Sequence, residues 1–101
     1  MTQQRKHTRI DFVTDVTVDI DGAKVSGATV NISQGGALLT LNAPVEFGQK
    51  LILEILLPKI KETCRIPSVV RWCSDASIGV QFEVLRAIEV WAINQIIHKS
   101  K

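Results

Sequence analysis

Ile78-Gly79-Val80-Gln81-Phe82-Glu83-Val84-Leu85-Arg86-Ala87-Ile88-Glu89-Val90-Trp91-Ala92-Ile93-Asn94-Gln95-Ile96-Ile97 contains two hydrophobic periods, one after the other. Up to Val84 the apolar residues Ile78, Val80, Phe82 and Val84 alternate with Gly79, Gln81 and Glu83, the pattern of a half-buried strand. From Leu85 to Lys99 there is no glycine or proline, and Leu85, Ala92, Ile93, Ile96 and Ile97 fall at helical spacing. The spacing predicts a helix over about 85–99. Ala87, Ile88 and Trp91 lie outside its apolar stripe, and nine of the thirteen residues Leu85–Ile97 are apolar. Such a helix is expected to bury more than one face, against its own domain or in a homodimer contact.

Upstream the chain is all strand and turn. Phe12, Val16, Val18 and Ile20 alternate with polar residues, and Asp21-Gly22 is a hairpin signal of the I′ type. A second strand is expected from Lys24 to Ser33 with Ala28, Val30 and Ile32 on its core face, then a turn at Gln34-Gly35-Gly36 and a third strand, Ala37–Leu41. In Lys50–Leu57, Leu51, Leu53, Ile55 and Leu57 share one face, while Ile52 and Leu56 ask for cover on the other. A fifth strand runs from Thr63 to Cys73, where Pro67 predicts an edge or a bulge. Short strands without intervening helices indicate an antiparallel barrel or sandwich with one terminal helix.

The chain has 101 residues, 46% hydrophobic and 22% charged, which fits one small globular domain. No apolar run approaches the ~20 residues of a membrane span, and residues 1–10 lack a signal-peptide core, so a cytoplasmic location is expected. Net charge is +2, but its distribution is uneven. Residues 1–10 carry Arg5, Lys6 and Arg9 and no acid, and the remainder sums to −1. This predicts a flexible basic arm, residues 1–10, ahead of a domain at 11–101, and suits an anionic partner. The even balance elsewhere, and the lack of interleaved basic and aromatic residues, argue against DNA or RNA as that partner. Cys64 and Cys73 have no metal-ligand spacing and sit among apolar residues, so reduced, buried thiols are expected and no metal. No phosphate-loop, dinucleotide, zinc-hydrolase or nucleophile-elbow motif occurs, and the two histidines stand 91 residues apart. An enzyme is not indicated.

Two short patterns carry chemistry. Arg5-Lys6-His7-Thr8-Arg9 spaces two arginines by four, which puts them on one side of a helix, or about 13 Å apart on one face of an extended chain. Two guanidinium groups so placed can converge on one anion, each bidentate to phosphate or to the O6/N7 edge of guanine. Asn31-Ile32-Ser33-Gln34-Gly35-Gly36 is an [D/N]-x-S-x-x-G. Its strand spacing predicts Asn31 and Ser33 outward, with Gly35 and Gly36 free to take positive φ and to let a ligand approach the backbone. Arg71 is expected to face out and Trp72 to pack in the core, unless a bulge near Pro67 reverses them.

In this order, with Gly48-Gln49-Lys50-Leu51-Ile52-Leu53 and Pro58, Val69-Val70-Arg71, and Gly79-Val80-Gln81-Phe82, the two patterns resemble the PilZ domain, the bacterial receptor family for cyclic di-GMP. The resemblance covers Arg5 to Ile97. It implies a six-stranded antiparallel β-barrel with a C-terminal helix and an N-terminal arm that folds onto the ligand. It also implies cyclic di-GMP as ligand, bound by Arg5, Arg9, Asn31, Ser33 and Gly36. Gln4, Lys6, Gly35 and Arg71 are candidate secondary contacts. Gln4 precedes the first arginine, a position that influences ligand stoichiometry in this family, and leaves it open. Asn31 accepts from guanine N–H groups less strongly than the aspartate alternative, and adds no negative charge near the phosphates. The implied role is a non-enzymatic receptor that signals to an unknown downstream protein. The rival is a PilZ-like protein-interaction module without nucleotide binding, against which stand all five motif residues.

Overall fold

The structure, a computed structural model, describes residues 9–41 and 43–99. Seven strands and one helix follow in order: β1 (Ile10–Asp11), β2 (Asp15–Ile20), β3 (Ala23–Ile32), β4 (Gly36–Leu41), β5 (Lys50–Leu57), β6 (Glu62–Cys73), β7 (Ser77–Phe82) and α1 (Ala87–Lys99). All pairings are antiparallel, in the order β1-β3-β2-β5-β6-β7-β4. A β3–β4 ladder joins the ends. The product is a closed six-stranded antiparallel barrel, with β1 as an extra strand beside β3 and one C-terminal helix. Closure leaves the barrel without a continuous open edge.

The alternating residues explain the interior. Val16 and Val18 of β2, Leu39 and Leu41 of β4, Leu51, Leu53, Ile55 and Leu57 of β5, Ile66 and Val70 of β6 and Ile78, Val80 and Phe82 of β7 form one buried cluster. Each such side chain contributes about 1.5–3 kcal/mol of transfer free energy. Asp21 (φ 53°) and Gly22 (φ 89°) make the I′-type turn, and the Asp19 carboxylate accepts from the Gly22 amide at 2.8 Å. From α1, Ala92, Ile93 and Ile97 enter the cluster, with Leu85 and Ile96 packed against it.

Bulges change what alternation alone predicts. The β3–β4 register slips between Thr29 and Asn31, leaving Val30 as the extra residue. The core face of β3 is therefore not Ala28-Val30-Ile32: Val25 packs on the core, Thr29 is buried, and Ile32 is buried only after the slip. The first predicted strand divides in the same region. Ile10 pairs with Ile32 in β1, one residue inside the expected arm, and pairing resumes at Asp15. The Thr29 hydroxyl bridges the gap, donating to the Phe12 carbonyl at 2.5 Å and accepting from the Thr14 amide at 2.9 Å.

Pro67 sits in β6 opposite Ile52, with its carbonyl accepting from the Glu83 amide at 2.8 Å, beyond the end of β7. Its missing N–H lies on the same side as that carbonyl, so Pro67 meets Glu83 through one hydrogen bond instead of two, at the end of the β6–β7 ladder where the loss is least disruptive. The bulge in β6 falls at Arg71 instead, between Val70 and Trp72. It turns Trp72 outward, 51% exposed, against the expectation of a core position. Two further expectations fail: Leu56 is exposed rather than covered, and of the two free cysteines only Cys64 is buried. Burial pushes the Cys64 thiol pKa up, with Glu89 adding to the effect.

Candidate functional site

The turn after β3 is built by the motif residues themselves. The Ser33 amide donates to the Gly36 carbonyl at 2.8 Å. The Ser33 hydroxyl accepts from the Gly35 amide at 3.2 Å and donates to the Gly36 carbonyl at 3.3 Å. Ser33 is thus buried and shapes the loop, not the outward-facing group the strand spacing predicts. The Gly35 carbonyl accepts from the Phe82 amide at 2.9 Å, tying the turn to the end of β7.

Gly36 opens β4 opposite Gln81. A Cβ there would stand 2.1 Å from the Val80 carbonyl oxygen. Its glycine answers to the close approach of β7, and not to backbone handedness: the described residues with positive φ are Asp21, Gly22, Gly48 and Lys61. Neither Gly35 nor Gly36 takes the positive φ expected of them.

Asn31 follows the bulge, half-buried, paired with Asp11 on one side and Leu38 on the other. Its Oδ1 accepts from Arg9 Nη1 at 3.2 Å. The structure therefore brings together the second arginine of the first motif and the first polar residue of the second, 22 positions apart. Pairing of β1 with β3 makes this contact: it sets Ile10 beside Ile32 and Asp11 beside Asn31, so that Arg9, one step further along, lies diagonal to Asn31 and within reach of its side chain. Gln4, Arg5 and Lys6 lie outside the described residues.

The register extends the site across the barrel wall. Asn31 pairs with Leu38, Leu38 with Gly79, and Gly79 with Trp72, a row over β3, β4, β7 and β6. Leu38 is half-buried, Gly79 adds no side chain, and Trp72 stands half-exposed at the far end. Beside it, Arg71 Nε donates to Gln81 Oε1 at 2.9 Å, and Gln81 is the register partner of Gly36. The row has an arginine near each end, hydrogen-bonding groups at Asn31 and Gln81, and an apolar floor ending at an indole. That composition suits a planar, anionic ligand that stacks and accepts charged hydrogen bonds.

Sequence reasoning did not find Leu38, Gly79, Trp72 or Gln81 as a surface. They become one only through pairing of distant strands and the bulge at Arg71.

Other features offer less. A groove of about 520 Å3 on the outer side of β2, β3, β5 and β6 is lined in part by Asp15 and Glu54, which disfavour an anion. Nearby, Lys24 pairs with Glu54 at 2.6 Å, and Arg65 pairs with Glu54 and, at 3.4 Å, with Asp19. These four charges offset one another. Among the described residues no cluster of His, Cys, Asp or Glu is placed to hold a metal, and no helix is long and apolar enough to cross a membrane.

Barrel, arm contact and turn define a known class. The PilZ domain model matches residues 3–99, and the chain belongs to the PilZ domain family. The structure is similar to that of the Bacillus subtilis inhibitor of motility, MotI/DgrA, at 27% identity and TM-score 0.76, covering 97% of this chain and 51% of that one. It is similar to Borreliella burgdorferi PlzA in complex with c-di-GMP, at 19% identity and TM-score 0.73, covering 92% of this chain and 40% of that one. The PilZ domain of CeSA from a cellulose-synthesizing bacterium aligns at 17% identity and TM-score 0.70, covering 93% and 99%. The chain thus spans about half the length of the first of these. Among curated proteins, none matches the chain by sequence.

Proposed function

We propose that this protein is a non-enzymatic cyclic di-GMP receptor whose N-terminal arm closes over the wall of the barrel and changes the surface offered to a downstream protein. The observation that carries the reading is the Arg9–Asn31 hydrogen bond, which joins the two motifs on one face of the barrel. In this reading Arg5 and Arg9 grip guanine edges and phosphates, and Asn31 faces a guanine. Ser33 and Gly36 act through the shape of their turn, Gly35 belongs to that turn, and Arg71 is a secondary cation beside Gln81. Gln4 and Lys6 flank the arm's arginines. The apolar row from Leu38 to Trp72 offers a base a face to stack on, worth about 1–3 kcal/mol per stacked base.

Calorimetric titration tests this directly. Cyclic di-GMP is expected to bind in preference to GMP and cyclic di-AMP, and Arg9→Ala to weaken binding by about 1–3 kcal/mol with an unchanged melting temperature. No heat and no thermal shift at saturating cyclic di-GMP would remove the proposal.

A further inference from the structure

The outer surface of α1 has the wrong chemistry for a face that stays in water. In the first turn and a half every exposed position is apolar: Ala87, Ile88, Val90 and Trp91. Val84, just before the helix, is 66% exposed, and Ile88, Val90 and Trp91 are 47%, 39% and 49% exposed. Charge is absent in a specific way. Arg86, the one basic residue of Leu85–Ile97, bonds the carboxylate of Glu89, Nε at 3.0 Å and Nη2 at 2.9 Å, and Glu89 is buried. Beyond the apolar half the outer face continues as Asn94, Gln95 and His98, which are polar and carry no fixed charge.

We infer that this face of α1 is a self-association surface, the occupant being a second copy of the same chain in an isologous pair. A lipid surface would call for basic residues flanking the apolar stripe, and Arg86 is already neutralised by Glu89. A strongly charged protein would find no counter-charge. A second copy finds the same neutral, apolar face and meets no like-charge repulsion. Antiparallel crossing about a two-fold axis between positions 89 and 90 sets Ile88 of one copy against Trp91 of the other, and the reverse. Asn94, Gln95 and His98 then form a polar rim. The four large apolar side chains expose on the order of 350 Å2 per copy. With the rim, two copies cover on the order of 1,000 Å2, the lower limit of a specific interface, which sets a weak dimer. The inference does not rest on nucleotide binding.

Sedimentation equilibrium of the full chain without nucleotide, from about 5 μM to about 1 mM, brackets a weak dimer. The average mass is expected to rise toward twice the monomer. Ile88→Lys and Trp91→Glu, each with the parent's melting profile, should weaken association about tenfold or more. Leu56→Lys, at an exposed position on β5, should leave it unchanged. A chain that stays monomeric at every concentration overturns the inference. So does an Ile88→Lys variant that associates as tightly as the parent, because association then uses another face.

Discussion

A methyl group at position 36 would meet the Val80 carbonyl oxygen at 2.1 Å, and that oxygen belongs to the neighbouring strand. Gly36→Ala therefore forces β4 and β7 apart, at a cost of about 1–3 kcal/mol or more in denaturant unfolding. Gly22 provides the contrast. Nothing lies within 4 Å of a Cβ there, but φ is +89°, so Gly22→Ala costs only the left-handed strain of about 1–2 kcal/mol. If Gly36→Ala were as stable as the parent, the close strand approach would not constrain this position. The motif was legible in the sequence; the reason for its glycine was not. A spacing of glycines cannot tell positive φ from steric crowding, and the crowding partner here is 44 positions away at Val80. Ser33 teaches the same lesson, since its side chain is directed by the turn it closes rather than by strand alternation.

At the level of elements, β5 and β7 followed from period two because neither is bulged, and the change of period after Val84 located α1. The strands adjoining the candidate site did not follow so simply. Bulges at Val30 and Arg71 shift the side-chain parity of β3 and β6, and a bulge is set by pairing with a distant strand. The helix start also hid a feature. Glu89 reads as one more polar helix position, yet it is buried and accepts from the Arg86 amide at 2.8 Å, one half of a capping box. Its other oxygen takes the Arg86 guanidinium, whose pKa this pairing raises further. Glu89→Ala should lower stability by about 1–3 kcal/mol, and Glu89→Gln by less, because the amide oxygen still caps the backbone. Equal losses in urea melts would show that the ion pair, and not the cap, holds the helix start. The motif turn touches this same helix, for Gln34 Nε2 donates to Asn94 Oδ1. Any shift of the turn would thus have a direct contact through which to reach α1.

Across the whole molecule, the barrel is a closed, fully paired wall and the basic arm is the part expected to respond. Arg9 and Ile10 already belong to that wall, through the Asn31 hydrogen bond and the pairing with Ile32. A nucleotide-driven change is therefore expected ahead of them, in residues 2–8. Met1 is the only apolar residue before Ile10, so this stretch has little apolar surface to bury, and Arg5 and Lys6 repel Arg9. Ordering it costs roughly 1–2 kcal/mol of backbone entropy per residue, which only new contacts can offset. A dianionic dinucleotide bound along the Asn31-to-Trp72 row would supply them, cancelling the repulsion and giving each guanidinium a fixed partner. In the proposed reading the ordered arm would then present a different surface to a partner, a change of the order–disorder kind. Amide hydrogen exchange with and without cyclic di-GMP reads this residue by residue. Protection at Ile10 should be present without ligand, and residues 2–8 should gain protection only with it. If residues 2–8 were equally protected in both states, the arm would not be the switch, even with nucleotide binding established by calorimetry.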